Sequence, residues 1–147
     1  MIRIANLKDE RSIIEYNMAL AEETEDLDLQ KNIVTKGVRA VLNDPSKGRY
    51  YVYEEKGGIL GQLLVTFEWS DWRNANFWWI QSVYVNKDSR QKGIFQALFE
   101  FVKEEAFKQK DVCGLRLYVE KNNQVAKTTY TKLGMYETYY NMFEWMK

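Results

Sequence analysis

The 147-residue chain has no histidine, one cysteine and one proline. Without histidine, any catalytic base must be a carboxylate, a tyrosine, a lysine or a chain of waters. A single cysteine excludes an internal disulfide and a cysteine-built zinc site, and no metal is expected. Cys113, placed just before a fifth strand, has no imidazole to activate it and reads as structural. Charge of one sign is also missing: 21 basic and 21 acidic residues cancel, so the chain lacks the field of a nucleic-acid binder and no DNA or RNA partner is expected. No stretch of about eighteen apolar residues occurs, and Met1-Ile2-Arg3-Ile4 begins as a strand rather than a leader, so neither a membrane span nor a signal peptide is expected. The expected setting is cytoplasmic.

What the chain does have is apolar mass. With 46% hydrophobic and 15% aromatic residues it fits one compact domain over residues 1–147, burying roughly two thirds of its unfolded surface. No repeat or linker interrupts it, and Pro45 falls in the turn Asn43–Gly48.

Periodicity gives the elements. A short strand over Ile2–Ala5 precedes a helix beginning at Asn6, whose apolar positions Ile13, Tyr16, Leu20 and Ile14, Met18, Ala21 recur every three or four residues. Five acids then fall within Glu22–Asp28. They read either as a solvated loop with Asp28 capping the next helix, or as a lure for a protonated amine. The second helix carries the stripe Val34, Val38, Val41, Leu42. A strand over Tyr50–Glu54, a turn at Lys56-Gly57-Gly58 and a long arm over Ile59–Trp69 make a hairpin. Phe77–Val85 reads as a strand buried on both faces. Trp69, Trp78 and Trp79 read as packing around this hairpin, whereas Trp72 lies in the loop Ser70–Asn76 and is the tryptophan expected to touch a ligand.

The chain is organised around Val83–Leu98. A strand ends in Val83-Tyr84-Val85, and Arg90-Gln91-Lys92-Gly93-Ile94-Phe95 opens a helix with Ile94, Leu98, Val102 and Ala106 on one stripe. A helix start leaves backbone N–H groups without partners and carries the positive end of the dipole, so it suits an anion. Gly93 lets a phosphate approach the backbone, and Arg90 and Lys92 add charge. The implied ligand is a phosphorylated cofactor, its diphosphate on the amides from Gln91 to Gln96. Downstream, Leu115, Leu117 and Val119 alternate as a strand, and Asn123-x-x-Ala126-x-x-x-Tyr130 forms a helix stopped by Leu133-Gly134. Met135–Tyr140 and Met142–Met146 read as two closing strands around Asn141.

Together the Arg90–Phe95 and Asn123–Met135 segments resemble the GNAT superfamily of N-acetyltransferases. Its acetyl-CoA motif is [QR]-x-x-G-x-[GA], and its later segment is similar to N-x-x-A-x-x-x-Y-x-K-L-G-F. The sixth position of the first motif, usually Gly or Ala, is Phe95 here, which also stands one helical turn from Phe99 as a core residue would. The resemblance implies a mixed α/β fold: six or seven strands splayed near the fourth, about four helices, and cofactor and acceptor meeting in the gap. It implies acetyl-CoA as co-substrate, direct transfer of acetyl to an amine, and a homodimer, common in the superfamily, as an open option.

In that frame the backbone of Val83, Tyr84 and Val85 serves the pantetheine arm and the oxyanion. Tyr130 stands where many members keep a tyrosine that protonates the departing thiolate. Asn123 either caps its helix or hydrogen-bonds the cofactor. The base is expected to be Glu68, at the end of the third strand where partial burial would raise its pKa, or Glu23 in the acidic loop, with a water chain as the alternative. Glu25 and Trp72 are the acceptor-site candidates, and the acids favour a small cationic amine. Two other readings stay open at this point: a silent acyl-CoA sensor or subunit, and a different phosphoryl ligand at the same helix start.

Overall fold

The computed structural model describes all 147 residues. They divide into two compact units, Met1–Leu117 and Tyr118–Lys147.

In the first unit the elements are β1 (Ile2–Ile4), α1 (Glu10–Glu25), α2 (Lys31–Asn43), β2 (Arg49–Glu55), β3 (Gly58–Ser70), β4 (Ala75–Val85), α3 (Ile94–Lys108) and β5 (Val112–Arg116). They build one sheet in the order β1-β2-β3-β4-β5. Neighbours are antiparallel except β4 and β5, which run parallel. The hairpin between β2 and β3 turns on Lys56 and Gly57, both at positive φ (51° and 78°), the pair of angles a two-residue turn needs to match strand twist.

Side-chain alternation on β2 sorts the helices onto two faces. Tyr50 packs with Ile13, Ile14, Val38 and Leu64, against which Val34, Val41 and Leu42 of the α2 stripe also rest. Tyr51, pointing the other way, meets Phe101 of α3 edge-on at 6.0 Å. On α3 the stripe Ile94, Leu98, Val102, Ala106 is buried, as its spacing requires, with Phe99 beside it. Gly61 of β3 makes this packing close: a Cβ there would stand 2.8 Å from Ile94 Cγ2 and 3.4 Å from the Tyr84 carbonyl. β4 leaves no residue exposed along its length, in keeping with its near-continuous apolar sequence.

The entry to α1 is fixed reciprocally. Asn6 Oδ1 accepts from the Lys8 amide at 3.0 Å, and Asp9 accepts from the Asn6 amide at 2.8 Å. Asp9 is buried, and two guanidinium bonds from Arg3, at 2.8 and 2.9 Å, hold its carboxyl below the usual range.

Four expectations need correction. The sheet has five strands rather than six or seven, because residues 135–147 form no strand. Their β-favouring side chains lack the paired partner that makes a strand. The fifth strand starts earlier than expected, at Val112, so Cys113 lies inside it, exposed, its thiol 3.4 Å from the Asn76 carbonyl. Glu22–Glu25 are the last turn of α1 rather than a loop, since glutamate favours helix, and the chain leaves the helix through Asp26 at φ 51°. Asp28 does not cap α2: Gln30 occupies that place and makes no side-chain cap bond.

The second unit holds α4 (Gln124–Lys132). Asn123 caps it, its Oδ1 accepting from the Ala126 amide at 3.1 Å, and the helix stops at Gly134, φ 92°.

Candidate active site

The register of β3 against β4 breaks once. Gln62 pairs with Tyr84 and Leu64 with Gln81, so Leu63 alone faces both Ser82 and Val83. This is a bulge, and Ser82 takes the positive φ of 48° that goes with the kink. Beside it, β4 pairs with β5 only as far as Trp79 and Arg116. Ile80–Val85 therefore runs on with one edge open, which is the splay expected near the fourth strand.

A polar chain crosses the core to hold the bulge. Gln62, with 0% of its surface exposed, donates from Nε2 to Asn17 Oδ1 at 2.8 Å and to the Ser82 carbonyl at 3.3 Å. Asn17 in turn donates to the Tyr50 hydroxyl at 3.1 Å. Gln62 Oε1 has no partner. Sequence reasoning passed over Gln62, although a lone amide inside the apolar run Leu60–Val65 is the signal that marks it.

Past Val85 the chain reaches the start of α3. Gln91 and Gly93 both adopt left-handed angles, φ 62° and 75°. The first bond recorded into the helix runs from the Ala97 amide to the Gly93 carbonyl at 2.9 Å, so the amides just before Ala97 have no acceptor within the helix. Apart from its own chain neighbours, no other part of the protein comes within 4 Å of where a Gly93 Cβ would stand. That space and those donors fit an anionic diphosphate. Phe95, at the sixth motif position, packs 6.2 Å from Phe99, so its side chain is partly occupied with helix packing.

Glu23, at the end of α1, joins three groups to this corner. It accepts from Arg90 Nη2 at 2.6 Å, from the Tyr84 hydroxyl at 2.9 Å and from Lys87 Nζ at 3.2 Å. Arg90, first among these, keeps the Glu23 carboxyl below its usual range. Arg90 also donates from Nε to the Val85 carbonyl at 3.0 Å and lies over the Tyr84 ring at 5.4 Å. Burial, then the Glu23 bond, pushes the Tyr84 phenol up, so it stays protonated. Tyr84 stacks with Tyr16 at 4.9 Å, and Tyr16 donates to the Ile59 carbonyl. Lys92 donates to the Asp88 carbonyl at 3.0 Å.

The structure thus brings Val83, Tyr84, Val85, Arg90 and Glu23 together with the helix start from Gln91 to Gln96. Glu68 stands elsewhere. It pairs with Phe77, four residues along β3 from Leu64, or roughly 14 Å at strand rise. It is exposed and ion-paired at 2.7 Å with Arg116, the last β5 residue paired with β4, which corrects the expectation of a partly buried carboxylate. Glu25 is exposed at the end of α1. Trp72 is 87% exposed in the β3–β4 turn, and Trp69, expected in packing, is exposed as well. In the second unit, Tyr130 is half-buried on α4, and desolvation raises its phenol. No group of three or more His, Cys, Asp or Glu residues is arranged to hold a metal ion, and no helix is long and apolar enough to cross a membrane.

Comparison with known proteins follows the same lines. The chain matches a possible acetyltransferase from Clostridium difficile 630 at 49% identity and TM-score 0.95, covering 100% of this chain and 97% of that one. It matches glucosamine-6-phosphate N-acetyltransferase from Arabidopsis thaliana in fold, at 21% identity and TM-score 0.76 over 100% and 98% of the two chains. A predicted acetyltransferase with acetyl-CoA from Clostridium acetobutylicum also shares the fold, at 18% identity and TM-score 0.77 over 100% and 94%. Among curated proteins none matches. The family model for acetyltransferase (GNAT) matches residues 8–135. Its match spans the β4 bulge, the open start of α3 and the capped α4, and the chain belongs to the acetyltransferase (GNAT) family.

Proposed function

We propose that this protein is an N-acetyltransferase that moves the acetyl group of acetyl-CoA directly to a primary amine of a small, cationic acceptor in the cytoplasm. The observation that carries the proposal is the open edge of β4, Ile80–Val85, leading within a few residues into the donor-rich start of α3. Acetyl-CoA supplies an activated thioester and a diphosphate handle. The amides from Gln91 to Gln96 would hold the diphosphate, and Arg90, anchored to the Val85 carbonyl and to Glu23, would add a cation beside them. Backbone groups of Val83, Tyr84 and Val85 would hold the pantetheine arm and stabilise charge developing on the carbonyl oxygen.

In the transfer, a C–N bond forms as the C–S bond breaks. The protonated amine loses two protons, one before attack and one after; the leaving thiolate gains one, and the other passes to solvent. Tyr130 is assigned the donation, supported by its motif position and by a phenol that burial keeps protonated. Asn123 spends Oδ1 on its helix cap and retains an Nδ2 donor for the cofactor. Loss of the amine proton is assigned to a water chain. Glu23 is an anchor, because a carboxyl held down by Arg90 is a poor proton acceptor at neutral pH. Glu68 is not assigned the role, because its carboxylate is exposed and committed to an ion pair with Arg116. Glu23, Glu25 and their neighbours at the end of α1, together with Trp72, supply the acidic and aromatic surface that suits a cationic amine.

A second reading, a silent acyl-CoA sensor or subunit, draws on one observation, the phenylalanine at the sixth motif position. Both readings require the cofactor to bind. Acetyl-CoA at about 100 times its Kd should raise Tm by roughly 5–11 °C. Absence of protection, with no heat of binding, contradicts both.

A further inference from the structure

Two departures from ordinary packing meet where β3 faces β4. Gln62 is fully buried, and its Oε1 has no hydrogen-bond partner. A buried acceptor without a partner destabilises a fold, and an apolar side chain of similar length would avoid that cost. Across the strand pair, Ser82 stands at φ 48°, a left-handed angle that a residue with a side chain holds only where its surroundings enforce it. Backbone strain and an orphaned polar atom at one point of a core are retained where function, rather than stability, needs them.

Gln62 Nε2 joins the two. It donates to the Ser82 carbonyl at 3.3 Å and to Asn17 Oδ1 at 2.8 Å, and since both partners are acceptors the amide nitrogen must face them. Asn17, on α1, is fixed in turn by its bond to the Tyr50 hydroxyl on β2. Gln62 shares its strand face with Leu64, which belongs to the same buried cluster as Ile13 and Ile14 of α1. A braced chain therefore runs from α1 and β2 through β3 to the backbone of Ser82, the residue before Val83 and Tyr84.

We propose that Gln62 is a positioning residue for acetyl transfer: by gripping the Ser82 carbonyl it sets the turn of the bulge, and so the direction in which the backbone groups of Val83 and Tyr84 meet the thioester carbonyl. The inference rests on the acetyl-transfer reading above and deepens it. Gln62 itself is sealed in the core and acts through the backbone it holds. The diphosphate would be held separately, at the start of α3, so loss of Gln62 should spare cofactor binding and slow the step in which charge develops on the carbonyl oxygen.

Gln62→Met keeps the reach of the side chain and removes both polar atoms. In the folded variant, kcat for amine-dependent thiol release should fall roughly 10–100-fold, the effect of a misplacement of about 1 Å, with the calorimetric Kd for acetyl-CoA within about threefold of wild type. A side chain that only stabilised the fold would lower Tm and leave kcat unchanged, and that result overturns the inference. Equal loss of kcat and affinity overturns it too. Asn17→Ala, at a helix position that alanine favours, leaves Gln62 in place without its shorter bond and should lower kcat by a smaller factor; an unchanged kcat there counts against the inference in the same way. The carbonyl stretch of isotopically labelled acetyl-CoA in the complex reads the aim without turnover. It should differ between wild type and Gln62→Met, and coincident bands overturn the positioning role. A wild type that binds acetyl-CoA and releases no thiol with any amine overturns the acetyl-transfer reading, whereas a wild type that turns over and a Gln62→Met variant that matches it overturn this inference alone.

Discussion

Tyr130→Phe is expected to lower turnover roughly 10²–10⁴-fold while leaving acetyl-CoA affinity within about threefold. The phenol would have to hand its proton to a thiolate whose thiol has a reference pKa of about 8.5, while burial lifts the phenol above its ordinary value of 10. Complete transfer is therefore uphill by at least about 2 kcal/mol. Such a step succeeds when the donor is fixed in place and the proton moves as the C–S bond breaks, so positioning rather than acidity would supply the rate. The raised pKa also sets the sign of the pH dependence. A proton donor works in its protonated form, so the wild-type rate should not fall on account of Tyr130 below pH 10, and the alkaline loss should vanish in the variant. Steady-state kinetics on both proteins, after calorimetry confirms binding, decides it. Unchanged turnover removes Tyr130 from the mechanism.

Gly61→Val should damage the cofactor site from beneath. The added Cβ meets Ile94 Cγ2 at 2.8 Å, and Ile94 is the first residue of α3, next to Gly93. Overpacking of this kind costs about 1–3 kcal/mol, or roughly 3–10 °C in Tm. Displacing the helix start should also weaken acetyl-CoA binding roughly tenfold or more. Gly61→Ala brings the same contact with less bulk and should fall between. A variant with lowered Tm and unchanged affinity would show that the start of α3 is not where the diphosphate sits.

The parts of this molecule that depend on local pattern were legible in its sequence. The α3 stripe from Ile94 to Ala106 follows from 3.6-residue spacing, and Gly93 at the helix start follows from the angle that position needs. The parts that depend on distant partners were not. Gln62 is separated by 45 residues from Asn17, and nothing local announces that pairing. The bulge at Ser82 arises from the register of two strands, which composition does not encode. Glu23 is one of two candidate bases in the sequence, chosen because its acidic segment lies where the acceptor site often does in the superfamily. The structure pairs it with Arg90, 67 residues away, and nothing local in the sequence announces that partner. The closing segment shows the same limit. Its residues have strand propensity, but a strand is a pairing, and residues 135–147 form none.

Turnover at this site is measured most directly as thiol release from acetyl-CoA in the presence of a panel of small amines, acidic and cationic. Release should depend on the amine, with cationic acceptors preferred and acidic ones poor. Tight acetyl-CoA binding with no release above the amine-free rate on any member of the panel would contradict acetyl transfer and leave the fold as a sensor.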